Sequence, residues 1–296
     1  MYPEFAAKLG AEVVARYSVY NHNIYENHVF LGTTSRGTPV HVNKELTSYD
    51  LRVGIGGIIP HSSAGYGGGG KIVMPGVSSI DTITSHHKHF TGAARVERGC
   101  VHDNDFRLDI EEAARLADLH FKVDAVMNNR HEVVGLFAGD FVEEHRVGVE
   151  LAQRVYPTKV TQEADVVVSN TYPDESQFMR STWCVPLSLN EGGDVVMVIQ
   201  SHEGQNLHQY GGQFGSDFGG RGWVPGLRAK LLAKAERVLV FAPFLSMYDR
   251  MELGAPKKQV VWCKDWGEVL AELAMGHGLG TKVAVYPYAS LQTPLR

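Results

Sequence analysis

The residues of this chain best equipped for chemistry lie in Gly54–Gly76, GIGGIIPHSSAGYGGGGKIVMPG, and just beyond it. Five glycines stand between Ala64 and Lys71, a density that forbids regular structure and lets backbone N–H groups approach a ligand. A lysine directly after such a loop is the arrangement that cradles phosphate. The pattern is broken here, because GKI lacks the Ser or Thr that would hold magnesium and Pro75-Gly76 follows where a helix should run. Pro60-His61 sets an imidazole at the mouth of the loop, and His87, beside His86, comes sixteen residues after Lys71. Together these side chains offer a proton carrier, an amine and a nitrogen ligand for a metal. Each also has a quieter reading. Lys71 ends a loop in solvent, His61 is a hydrogen-bonded loop histidine beside a backbone-restricting proline, and His87 caps a helix over 84–90.

The whole chain narrows the setting. At 296 residues it can bury a large core, and its size favours two domains. Hydrophobic and charged fractions of 44% and 21% are those of an ordinary globular protein. A net charge of -5 leaves no basic footprint for nucleic acid. No apolar run approaches the roughly 18 residues of a membrane span, and Met1-Tyr2-Pro3-Glu4 lacks a signal-peptide pattern. Cys100, Cys184 and Cys263 are odd in number and form no CxxC pair, so they read as reduced thiols. The expectation is a cytoplasmic protein with neither nucleic acid nor membrane as partner.

The elements that must position the site follow from patterning. Residues 3–16 predict one amphipathic helix with proline near its start. Val29–Gly32 and Pro39–Val42 flank the turn-rich TTSRGT and predict a hairpin. Residues 51–58 read as a buried strand that ends at Gly56-Gly57 and feeds the glycine loop. A helix is expected over 109–118 with Asp109 as its N-cap, strands over 122–127 and 132–137, and a helix over 140–155. Past Tyr156-Pro157-Thr158 a second pattern begins, with strands at 165–168, 195–200, 237–241, 259–262 and 282–286 and helical patterns between several of them. Strands alternating with helices predict an α/β fold of two domains, each a mixed or mostly parallel sheet flanked by helices. The expected division is a cofactor-binding domain over 1–160, rejoined by 284–296, and a second α/β domain over 161–283. A second glycine cluster at 204–222 is expected to form a lid or linker.

PHxxAGxxGGxK, then PG, then a histidine sixteen residues after the lysine, resembles the core signature of the nickel-dependent lactate racemase family, the nickel-pincer-nucleotide racemases. It reads here Pro60-His61, Ala64-Gly65, Gly68-Gly69, Lys71, Pro75-Gly76, Asp81-Thr82 and His87. The likeness continues through LGTTSRGTPVHVNKE before it and DIEEAA, LFAGD and EGGDVV after it, and so spans nearly the whole chain. The resemblance implies that Lys71 tethers the nickel-pincer nucleotide, a nickel pyridinium-3,5-bisthiocarboxylic acid mononucleotide, through a thioamide. It implies that His87 is the protein ligand to nickel, that Gly68, Gly69 and Gly70 line the cofactor, and that His61 is one of two histidines shuttling the substrate hydroxyl proton. His86 falls where the family often has Asn. The implied activity is an isomerase, a racemase or epimerase of a 2-hydroxy acid working by hydride abstraction and return through a keto acid. Its partners would be that substrate and the cofactor-maturation enzymes. Imidazole suits nickel, and a carbon, sulfur and nitrogen donor set favours square-planar geometry.

Two departures accompany the likeness. The family carries an upstream segment with an Asp-His-Thr-Arg-Pro-like phosphate-binding motif and the second histidine, and nothing here matches it. The expectation is therefore the region of such a racemase from the second cofactor loop onward. After its GYPxD motif the family also places a Gln and a Lys that bind substrate, where this chain has Met179 and Thr182. Arg180 could replace the lost cation and grip a carboxylate through two N–H groups, or simply form a surface salt bridge. That change argues against lactate as the specific substrate, and Trp183 would suit a bulkier hydroxy acid. Rival readings are a phosphate- or nucleotide-binding transferase using Gly65–Lys71, and a catalytically silent relative. The racemase reading requires the side chains at 61, 71 and 87 to converge.

Overall fold

The computed structural model describes residues 2–90, 93–202, 204, 232–246, 250 and 260–295. The lid expected at 204–222 lies outside the described residues except for Gly204. Two short helices open the chain, α1 (Tyr2–Leu9) and α2 (Ala11–Arg16), in place of one helix over 3–16. Gly10 stands between them with φ of 87°, a left-handed conformation that ends the first helix. The hairpin forms as expected from β1 (His28–Thr33) and β2 (Pro39–Asn43).

Next come β3 (Val53–Gly57), the tight antiparallel pair β4 (Pro60–His61) and β5 (Gly65–Tyr66), and a 3-10 turn at Gly69–Ile72. Helix α3 (Ile80–Phe90) follows, with Ser79 Oγ accepting the N–H of Thr82 at its start. After α4 (Asp105–Leu116), β6 (Phe121–Met127) pairs parallel with β3 and antiparallel with β7 (Val133–Gly139). Helix α5 (Glu143–Val155) packs against β6 and β7. The three-stranded sheet is covered on one face, so β3 is not the buried strand its sequence predicts. Gly54 is buried, while Ile55 is 73% exposed.

The start of α4 also differs from expectation. Its N-cap is Asn104, whose side chain accepts the N–H of Arg107. Asp109 lies inside the helix, buried, and accepts the hydroxyls of Thr34 and Thr38 at 2.6 and 2.7 Å. Asn and Asp cap almost equally well, so residue type alone could not choose between the two positions.

The chain then runs through β8 (Pro157–Thr158) into β9 (Ala164–Asn170), the short α6 (Val185–Ser188), β10 (Leu189–Val198), β11 (Ala235–Phe241), β12 (Val260–Cys263) and β13 (Val283–Tyr286). Five of these strands form a parallel sheet in the order β12-β11-β10-β9-β13. Val167, Val195, Met197 and Val240 fill one side of it, and Val166, Val196, Leu239 and Val269 the other. Burial on both faces explains the nearly continuous valine runs, each fully buried side chain contributing roughly 1.5–3 kcal/mol. A last strand, β14 (Thr293–Pro294), returns to pair with β8. The fold is α/β, with mixed and parallel sheets flanked by helices, and its three cysteines are free and buried.

Candidate active site

The β4–β5 turn fixes His61. Its Nδ1 accepts the backbone N–H groups of Ser63 and Ala64 at 3.2 and 3.1 Å. A neutral imidazole so held carries its proton on Nε2, and Nε2 faces Nζ of Lys71 at 3.3 Å. An N–H donor opposite an ammonium would find no lone pair, so the contact calls for a neutral amine. Burial, then the charges of Arg107 and Arg180, act in the same direction and hold Lys71 well below the usual lysine range. Burial also holds His61 well below the histidine range, helped by Lys71, Arg180, His87 and Arg107. Both side chains keep some accessible surface.

Helix α3 turns Thr82, Ile83, His86, His87 and Phe90 inward. Nδ1 of His87 lies 2.8 Å from the carbonyl of Ile83 one turn back. That contact puts a proton on Nδ1 and the lone pair on Nε2. His87 is thus held within the helix and does not cap it. The ring of Phe106 packs against three histidines, with centroids 4.1 Å from His86, 4.9 Å from His87 and 6.3 Å from His61. Nδ1 of His86 reaches Asp109 at 2.8 Å, and its Nε2 has no partner among the described residues. Burial lowers the pKa of His86 against the pull of Asp109. Burial would raise that of Asp109, but hydrogen bonds from His86, Thr34 and Thr38 bring it below the usual carboxylate range.

The glycine loop is braced by residues that do not stand out in the sequence. The Gly69 N–H donates to Asp124 at 2.6 Å, and Asp124 is paired with Lys122. Arg107, fully buried, donates to the carbonyls of Ala64 at 3.3 Å, Gly68 at 3.1 Å and Tyr66. Nε2 of His145 donates to the carbonyl of Gly67 at 2.8 Å. A Cβ on Gly68 would stand 2.6 Å from Asp124, one on Gly69 2.9 Å from the Phe141 carbonyl, and one on Gly70 3.0 Å from Ala114. The glycines thus admit close protein packing, and a carboxylate already occupies the Gly69 N–H that a phosphate would need.

From the second sheet comes the 3-10 turn Phe178–Cys184, which carries Arg180. Its guanidinium donates to Asp174 at 2.6 Å with 19% of the side chain exposed, so it is an ion pair, but one whose charge reaches Lys71 and His61. Arg98 ties the two sheets together by donating to the carbonyls of Arg180, Ser290 and Gln292. Trp183 donates to the Ala289 carbonyl and packs on Tyr286 in the second sheet. His61 and Lys71 therefore meet, with His87 and Arg180 around them. Among the described residues no three His, Cys, Asp or Glu side chains could hold a metal by themselves.

Such an arrangement, in an α/β fold of mixed and parallel sheets, gathers histidine, lysine and arginine side chains around one point. The chain is similar to the lactate racemases: its residues 2–99 match the lactate racemase N-terminal domain family. It is 28% identical over 218 residues to lactate racemase of Thermoanaerobacterium thermosaccharolyticum, covering 70% of this chain and 51% of that protein. Against lactate racemase of Lactiplantibacillus plantarum it is 28% identical over 209 residues, covering 68% and 49%. The chain therefore spans about half the length of the curated relatives it matches. In fold it is similar to the lactate racemase apoprotein of T. thermosaccharolyticum, with a TM-score of 0.78 and 22% identity over 99% of this chain and 75% of that one. A protein of Thermotoga maritima has a TM-score of 0.68 at 17% identity, over 99% of this chain and 82% of its own. No helix among the described residues is long and apolar enough to cross a membrane.

Proposed function

We propose that this chain carries the cofactor loop and second sheet of a racemase or epimerase of a 2-hydroxy acid, working with a nickel-pincer nucleotide in the cytoplasm. The observation that supports it most is the 3.3 Å contact between Lys71 and His61. The residues fit the group. A neutral Lys71 amine has the lone pair that acylation to a thioamide requires. His87 would hold nickel through Nε2, while its Nδ1–H rests on the Ile83 carbonyl, the kind of outer contact that fixes a metal-binding histidine. When bound, the cofactor supplies acceptance and return of the substrate's α-hydrogen.

The protein's own work is positioning and proton transfer. With Nδ1 held by Ser63 and Ala64, proton exchange at His61 is confined to Nε2, where the substrate hydroxyl proton would be held and returned. Arg180 would share its five N–H donors between Asp174 and the substrate carboxylate. Arg107 keeps the loop in register by binding its carbonyls.

Coexpression with the cofactor-making enzymes, followed by intact mass, nickel analysis and chiral separation of a panel of 2-hydroxy acids, tests this. The expected result is a covalent adduct on Lys71, bound nickel and interconversion of at least one pair of enantiomers or epimers. An unmodified, nickel-free protein would overturn the proposal. A loaded protein that isomerises nothing would identify a silent relative.

A further inference from the structure

Beneath the glycine loop lies a group of charges in which Nδ1 of His145 and both oxygens of Glu144 have no partner among the described residues. From β6 come Lys122 and Asp124, from α4 Arg107 and Glu111, and from α5 Glu144, His145 and Arg146. Most of their hydrogen bonds have clear destinations. Lys122 and the Gly69 N–H take the two oxygens of Asp124. Arg107 serves loop carbonyls, and His145 serves Gly67. Arg146 binds Glu111 at 3.0 Å and the Val101 carbonyl at 3.1 Å.

Glu144 has no such donor. It is 5% exposed, and among the described residues nothing donates to either of its oxygens. The charge that bears on it most strongly is the carboxylate of Asp124, itself fully buried. Two buried carboxyl groups set against each other, with no donor to spare for one of them, call for a proton between them. We propose that Glu144 is a carboxylic acid whose O–H donates to Asp124, and that this shared proton positions the glycine loop and with it Lys71. The chain of contacts is short: Glu144 to Asp124, Asp124 to the Gly69 N–H, and Lys71 two residues further on. Burial first, then the charge of Asp124, push Glu144 up to about 8, against the smaller opposing pull of Lys122 and Arg107. Ionisation would set a second charge against Asp124 and weaken its hold on the loop. This device is independent of whether the site takes a nickel cofactor.

The cofactor-free protein suffices for the test. Carbon-13 NMR of glutamate-labelled protein, with the Glu144 signal assigned by its loss in Glu144→Gln, should show a protonated carboxyl at neutral pH that titrates above the normal glutamate range. The infrared band of a buried carboxylic acid, sought in the wild type, gives the same answer should the variant not fold. The rate constant for labelling of Lys71 by isocyanic acid, followed by itself and not as a ratio to an exposed lysine whose free-amine fraction rises with pH, should drop several-fold, in wild type, as pH passes through about 8. In Glu144→Gln it should not, because the amide N–H still donates to Asp124. An ionised Glu144 at neutral pH, or an equal drop in the glutamine variant, would overturn the proposal.

Discussion

Nε2 of His61 faces Nζ of Lys71 at 3.3 Å, and the two backbone N–H groups on Nδ1 decide which of the pair carries the proton. With Nδ1 an acceptor, the imidazole is the donor and the lysine supplies a lone pair. An amine in that state at neutral pH is a nucleophile, unlike a surface lysine held as ammonium. Cyanate at about pH 7 should therefore carbamylate Lys71 ahead of exposed Lys8 and Lys44, by roughly tenfold for each unit that burial lowers its pKa. Peptide mass spectrometry reads the ratio. Equal labelling of the three would mean that Lys71 is charged and that the tautomer assignment is wrong.

Acid should expose the same arrangement through stability. His61 and His145 both sit well below the normal histidine pKa, chiefly through burial. In the unfolded chain they take up protons as pH falls below ~6.5, whereas the folded protein does not. The unfolded state then binds more protons, so stability must decline as pH drops through that range. Urea midpoints at about pH 7.5 and 5.5 should differ, and His61→Gln should narrow the difference. A midpoint shift unaltered by that substitution would place His61 in contact with water.

Two adjacent histidines on α3 differ in what they face. His87 rests Nδ1 on a backbone carbonyl, while His86 is tied to Asp109 in the core. In protein coexpressed with the cofactor-making enzymes, His87→Ala should abolish nickel retention yet leave the Lys71 adduct. His86→Asn should retain both. Nickel lost from the His86 variant and kept by the His87 variant would reverse the assignment.

Much of the site is legible in sequence because its signal is local. The glycine run, the lysine that ends it and the histidine sixteen residues later sit on one loop and the helix after it. The braces are not legible, because they come from distant elements whose patterning points the other way. On β6 the outward residues Phe121 and Val123 are apolar, while the inward Lys122 and Asp124 are charged. Period-two reading sends charges to solvent, and here it inverts. Arg107 is hidden likewise in a helix whose charged residues look solvated, and Asp109 reads as a cap when it is a core acceptor. In the second sheet the reading fares better, since buried parallel strands announce themselves as valine runs whatever they pack against.

Arg107 offers the sharpest measure of what those hidden braces contribute. Burial pushes its pKa down to about 10, yet its guanidinium still donates to the carbonyls of Ala64, Tyr66 and Gly68. Arg107→Met preserves much of the apolar stem but leaves three buried carbonyls without that donor. Each unsatisfied group costs ~1–3 kcal/mol, so a loss of about 3 kcal/mol or more is expected in urea unfolding, with little change in m. Arg107→Lys should recover part of it, since one ammonium cannot reproduce the planar fork. The loop should also loosen around Lys71, so cyanate labelling in folded Arg107→Met should fall toward the rate of Lys8. If stability drops while Lys71 keeps its reactivity, Arg107 supports the core alone and the loop is held by Asp124 and His145.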